Sequence, residues 1–130
     1  MNNKLRKIIK LSRKYIEYPE GRTKHFTFIM KRNTVIAMGW NLTHKTHPIA
    51  HRFSHRFDSI HSELNALLNF PFPLSKLRDY NIINIRLRKD GTIGLAKPCK
   101  HCYNMLYAFG VKEMIYSIND NQFMHISLRV

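Results

Sequence analysis

Near the start of the chain, Leu5, Ile8, Ile9 and Ile16 recur at near-helical spacing with lysine and arginine between them. That pattern predicts a basic amphipathic helix over residues 1–17. The spacing then changes. Residues 24–30 and 33–39 are apolar runs around Lys31-Arg32-Asn33, which predicts a β-hairpin. Residues 60–70 return to helical spacing and stop before Pro71. Residues 81–88 alternate Ile82, Asn84 and Arg86 against Ile83, Ile85 and Leu87, the pattern of a strand with one buried face. Asp90-Gly91 turns the chain, and a further helix over 98–109 ends at Gly110, a typical C′ residue. Two more strands follow at 112–117 and 122–129. Only Ile118-Asn119-Asp120-Asn121 separates them. A parallel pair needs a dozen or more connecting residues, so this pair is expected to be antiparallel. The elements assemble into an α/β fold, an α-β-α sandwich with a mixed five-stranded sheet and helices on both faces. At 130 residues the expectation is one domain over 1–130.

Two short motifs add chemistry to this frame. His61-Ser62-Glu63 opens the 60–70 helix, and Pro98-Cys99-Lys100-His101-Cys102 opens the next. His-x-Glu followed by Pro-Cys-x-x-Cys is the signature of zinc-dependent nucleobase deaminases. His61, Cys99 and Cys102 supply three ligands, and a catalytic zinc site leaves a fourth position to water. The protein has two cysteines, so an all-thiolate structural site is excluded. Glu63 is then the proton carrier. His61 and Glu63 are two apart and would diverge in mid-helix, so the site must lie at the opening turn. Asp58 and Ser59 are capping-type residues just upstream. Pro98 suits a first helical turn, and a helix N-terminus beside both thiols favours thiolate. The bland alternatives are a zinc staple between two helices, with Glu63 merely solvated, and a Cys99–Cys102 disulfide.

The sequence resembles the CMP/dCMP-type deaminase family of the cytidine deaminase-like superfamily. The likeness is carried by residues 35–41 (VIAMGWN), 61–67 (HSELNAL), 97–102 (KPCKHC) and 110–117 (GVKEMIYS), and spans roughly residues 25 to 118. The resemblance implies a cytosine substrate. It also implies that Asn41 bonds the sugar or base and that the backbone around Ser62 faces the exocyclic amine. A turn residue after Gly39-Trp40 is the plain alternative for Asn41. The short link between the last two strands departs from dCMP and tRNA adenosine deaminases, which usually carry a helix there.

Charge bears on the substrate. The formal net charge is +14, far beyond what solubility needs, and implies attraction to polyanions. Lys4, Arg6, Lys7, Lys10, Arg13 and Lys14 precede any acidic residue. Residues 42–58, a loop or short helix, hold the echo HRFS then HRFD. It sets Arg52, Phe53 and Arg56 as candidate nucleic-acid or phosphate contacts, since cations beside aromatics suit a single strand. Phe53 and Phe57 could equally be core residues, and His44, His47, His51 and His55 could form a second metal site. Three readings follow: deamination of cytosine in single-stranded or locally opened DNA or RNA, deamination of free CMP or dCMP with Arg52 or Arg56 on the phosphate, and a non-catalytic nucleic-acid-binding module. An intact Glu63 argues against the third, and total charge favours the first. No apolar run approaches the ~20 residues of a membrane span, and no secretion signal is evident. Two cysteines committed to a metal imply a reducing, cytoplasmic setting. Strong net charge opposes self-association, although small deaminases of this family often associate.

Overall fold

The computed structural model of the protein describes residues 1–43, 45–53 and 59–129. Helix α1 (Asn3–Lys14) is capped by Asn2, whose Oδ1 accepts the Leu5 N–H at 2.8 Å. Strands β1 (Lys24–Lys31) and β2 (Thr34–Trp40) form the expected hairpin, turning at Arg32 with φ 56°. The pair β3 (Leu42–Thr43) and β4 (Ser59–Ile60) forms a separate two-residue ladder, and α2 (Pro48–Arg52) lies between them in sequence. Helix α3 (Ser62–Asn69) and a 3₁₀ turn (Leu74–Asp79) lead to β5 (Asn81–Leu87). Then come β6 (Ile93–Gly94), α4 (Lys100–Ala108), β7 (Glu113–Asn119) and β8 (Gln122–Ser127).

The main sheet has the order β2-β1-β5-β7-β8, with β6 paired to β5. β5 and β7 are parallel, joined through α4, and the other pairs are antiparallel. The last pair is antiparallel as its short connection requires. β6 makes a sixth strand where five were expected. Two residues carry no periodicity to detect.

Alternation along each strand sorts side chains to two cores. On one face, Phe26, Phe28, Met30, Ile83 and Ile85 bury Ile8 and Ile9 of α1. On the other, Ile29, Ile82 and Met114 pack with Leu64 and Leu67 of α3 and with Met105 and Leu106 of α4. Helices therefore cover both faces. The expectation that β5 buries one face is corrected: Ile82 and Asn84 are as enclosed as Ile83 and Ile85. Gly39 lets α3 approach β2, for a Cβ there would strike the Ala66 backbone and the Ser62 carbonyl. Gly110, at φ 90°, closes α4 as expected: its N–H reaches the Tyr107 carbonyl at 3.0 Å, and Val111 N–H reaches that of Leu106 at 3.0 Å.

Candidate active site and zinc centre

The start of α3 settles how two residues spaced by two can serve one site. His61 is the N-cap, with extended backbone (φ −70°, ψ 157°), while Glu63 sits in the first helical turn. The bend between those conformations brings both side chains to one cavity. Asp58 lies outside the described residues, and Ser59 is a β4 residue paired with Thr43, so neither is seen to cap the helix. At the second motif the cap is Cys99, one residue beyond Pro98, and its Sγ accepts the Cys102 N–H at 3.4 Å. An N-cap position aims a side chain at the orphan amides of the first turn, which suits a thiolate.

His61 Nδ1 lies 3.6 Å from Cys99 Sγ and 3.3 Å from Cys102 Sγ, and the three ligand atoms fall within 4.8 Å of one another. Tetrahedral zinc with Zn–S of ~2.3 Å and Zn–N of ~2.0 Å would set N and S roughly 3.5 Å apart. The donor set fits zinc. Without the ion's charge, the three ligands differ in their electrostatics. A hydrogen bond from the Cys102 thiol, helped by His61, holds Cys99 down to about 3, so it is a thiolate at neutral pH. Cys102 is pushed well above the ordinary thiol range by neighbouring Cys99 and by burial. His61 is raised, chiefly by its bond to Cys99. Zinc held there would supply a Lewis acid and would lower the pKa of a coordinated water into the neutral range.

Glu63 is 6% exposed, and both its carboxylate oxygens are bonded. Oε1 accepts from the Ser62 hydroxyl at 3.2 Å and Oε2 from the Asn84 amide at 3.0 Å. Asn84 is a site residue that the sequence pattern did not single out. Its signal was a polar side chain in the middle of an apolar strand.

The cavity holding Glu63 and the metal ligands has a volume of about 440 Å³, within the ~300–1,000 Å³ of small-molecule sites. Asn41 and Ser62 line it, and so do Arg22, His25 and Lys97, to which the sequence reading gave no role. Asn41 Oδ1 accepts the His25 N–H at 2.9 Å, and its Nδ2 donates to the Glu20 carbonyl. Glu20 Oε1 in turn accepts the Thr43 N–H at 2.7 Å. The segment carrying Arg22 is thereby fastened to the strands beside the zinc ligands. His25 is lowered from the ordinary histidine value by burial, with Arg86 and His61 acting the same way and Glu63 opposing.

The 42–58 residues divide differently. Phe53 packs on the core beside Phe109, with ring centroids 6.0 Å apart, and Arg52 lies over both rings at 5.5 and 5.8 Å. Neither lines the cavity. Arg56, with Phe57, His44 and His55, lies outside the described residues. Among the described histidines of this segment, His47 Nδ1 caps α2 by accepting the Ile49 N–H, and His51 Nε2 meets Thr46 Oγ1 at 2.8 Å. Among the described residues, the metal-binding group found is His61, Cys99 and Cys102.

A family model for the cytidine and deoxycytidylate deaminase zinc-binding region matches residues 2–118. The chain belongs to this family. It is a zinc-dependent hydrolytic deaminase, with His61, Cys99 and Cys102 as the candidate zinc site. Solved structures share the fold of this deaminase at low identity. Apo dCMP deaminase from the cyanophage S-TIM5 has a TM-score of 0.60 at 19% identity, over 91% of this chain and 86% of that one. The same enzyme in complex with dCMP and dUMP gives 0.58 at 20%, over 89% and 82%. Cytidine deaminase from Burkholderia pseudomallei gives 0.61 at 14%, over 98% and 94%. No curated protein sequence matches significantly. No described helix is long and apolar enough to cross a membrane.

Proposed function

We propose that this deaminase converts free dCMP or CMP to dUMP or UMP, with Glu63 as proton carrier. The observation that carries the reading is the composition of the cavity. It has the volume of a single nucleotide site and sets Arg22 and Lys97 in the lining that also contains Glu63. One phosphate monoester calls for two or three cations, and two are here. The cyanophage relative solved with dCMP and dUMP supports the same substrate class. Total charge favoured a polynucleotide, but among the described residues the charge is not gathered at the cavity. The six cations of α1 lie with Ile8 and Ile9 on the far face of the sheet, and Arg52 caps an aromatic pair outside the lining.

The chain's part in the chemistry follows from Glu63. Its carboxylate accepts a proton from the attacking water and passes it to the ring nitrogen N3; it then takes the second proton, from the hydroxyl added at C4, and delivers it to the amine, which departs as ammonia. Asn41, fixed by its bonds to His25 and Glu20, keeps the sugar wall of the cavity in place.

The test is a competition. Zinc-loaded protein is given dCMP, CMP, deoxycytidine and a cytosine-containing single-stranded oligonucleotide together, and mass spectrometry follows uracil in each pool. The expected result is conversion of a free monophosphate, slower conversion of the nucleoside, and an unchanged oligonucleotide. Uracil in the oligonucleotide with the free pool spared would overturn the reading.

A further inference from the structure

Asn84 occupies the centre of the sheet. β5 lies between β1 and β7, and Asn84 pairs with Thr27 on one side and Tyr116 on the other. Its strand neighbours Ile83 and Ile85 fill the core under α1, while Asn84 turns to the α3 side and is 3% exposed. An amide enclosed that far costs stability unless its donors and acceptor are all engaged. Here they are. Nδ2 donates to Glu63 Oε2 at 3.0 Å and to the Ala96 carbonyl at 3.3 Å, and Oδ1 accepts the Thr27 hydroxyl at 2.7 Å. The carbonyl of Ala96 can only accept, which fixes which end of the amide faces Glu63.

The contacts continue beyond Asn84. Thr27 Oγ1 lies 2.8 Å from Ser62 Oγ, and Ser62 Oγ lies 3.2 Å from Glu63 Oε1; with the Thr27 proton given to Asn84, the single Ser62 proton serves one of these two contacts at a time. Glu63, Asn84, Thr27 and Ser62 thus close a ring, and none is more than 6% exposed. Two members stand on strands and two on the first turn of α3. Through Ala96, Asn84 also holds the segment that runs into Pro98 and Cys99. One amide therefore ties the proton carrier to the approach of the second zinc motif.

We propose that Asn84 is a positioning residue for catalysis, holding the Glu63 carboxylate in its working orientation from the rigid centre of the sheet. The proposal rests on Glu63 as the proton carrier of this deaminase. A proton-transfer group must be held to a fraction of an ångström, and a displacement of about 1 Å costs on the order of 100-fold in rate. Donors mounted on a central strand supply that restraint better than donors on a loop. Asp at the same position keeps the shape of Asn but turns an oxygen toward both Glu63 and the Ala96 carbonyl, replacing a restraint with a repulsion.

The experiment compares Asn84→Ala and Asn84→Asp with the wild type, each alone and combined with Glu63→Ala. Zinc content, urea unfolding, and kcat and KM on the nucleotide that the wild type converts are measured. One zinc per chain is expected throughout, with KM within about threefold, and kcat lowered roughly 100-fold by Asn84→Ala and further by Asn84→Asp. The unfolding midpoint should fall less on Asn84→Ala when Glu63 is already absent, because the pair is coupled. Near wild-type kcat in a zinc-loaded Asn84→Ala protein would overturn the proposal. So would an equal drop in midpoint with and without Glu63, or loss of zinc and cooperative unfolding in both single variants. A wild type inactive on every free nucleotide would strike the substrate reading alone, since the unfolding cycle decides the Asn84–Glu63 coupling with no substrate present.

Discussion

Gly39 of β2 stands so close to the backbone of Ala66 in α3 that no methyl group fits between them. The same contact is clamped at both ends, by Trp40 N–H to Asn65 Oδ1 at 3.0 Å and by Asn69 Nδ2 to the Met38 carbonyl at 3.0 Å. α3 cannot slide away without breaking those bonds. Gly39→Ala should therefore cost at least ~3 kcal/mol, the upper end of ordinary overpacking, because backbone rather than a flexible side chain is struck. Urea unfolding with zinc analysis should show lower stability and weaker metal retention together.

Glu63→Ala separates metal binding from proton transfer. Zinc content should stay at one per chain, since Glu63 is not a ligand, while kcat falls by about 10²–10⁴-fold. Turnover near wild type would remove Glu63 from the chemistry.

Arg22 and Lys97 should reveal themselves by substrate discrimination. Charge-assisted bonds to a phosphate contribute about 1.5–3 kcal/mol each, or roughly 10- to 100-fold in binding. Arg22→Ala and Lys97→Ala should each raise KM for dCMP by that factor and leave KM for deoxycytidine within about twofold. Steady-state kinetics on both substrates distinguishes this from general damage to the cavity.

Phe53→Ala and Arg52→Ala should act on stability. Phe53 loses a partly buried ring contact with Phe109, about 1–3 kcal/mol, and Arg52 an exposed cation–π contact of ~0.5–1 kcal/mol. Thermal melts should register both, with kcat/KM on the nucleotide changed less than about threefold. A large loss in kcat/KM at unchanged stability would return the pair to substrate binding.

His25 gives a pH signature. Its folded-state value lies below the unfolded 6.5, chiefly through burial. The unfolded chain therefore binds more protons as pH falls through about 6.5, and stability drops in that direction. Arg86 and His61 reinforce the effect, and Glu63 opposes it. His25→Gln should flatten the decline of melting temperature between about pH 7 and pH 5 relative to wild type.

Much of this molecule is written plainly in its sequence, and the exceptions share physical causes. His61, Cys99 and Cys102 were legible because a metal demands particular atoms at particular spacings, and they converge as expected. The antiparallel β7–β8 pair was legible because four residues cannot span a crossover. Asn84 was hidden because alternation separates two faces of a strand without saying whether the polar one meets water or a buried carboxylate. Pro98, expected in a first helical turn, instead precedes the Cys99 cap, and Ser59 lies two residues before the His61 cap, the ordinary slack of helix ends. Arg22 carries no motif and joins the cavity because Asn41 and Glu20 fasten its segment beside β3, while Lys97, in the stretch before Pro98, follows Ala96, which Asn84 and Ser117 hold. Net charge can be summed from the sequence, but its placement needs the fold.

The seat of α1 has a practical side. Lys4, Lys7, Lys10 and Lys14 all belong to a helix whose apolar stripe rests on the sheet face opposite the zinc ligands. Amine-directed coupling of the protein to a bead or a dye through those lysines would leave the catalytic mouth facing free solution. The helix is thus a ready-made handle: its charges can be masked, recoloured or tethered while the opposite side of the molecule continues to turn over substrate.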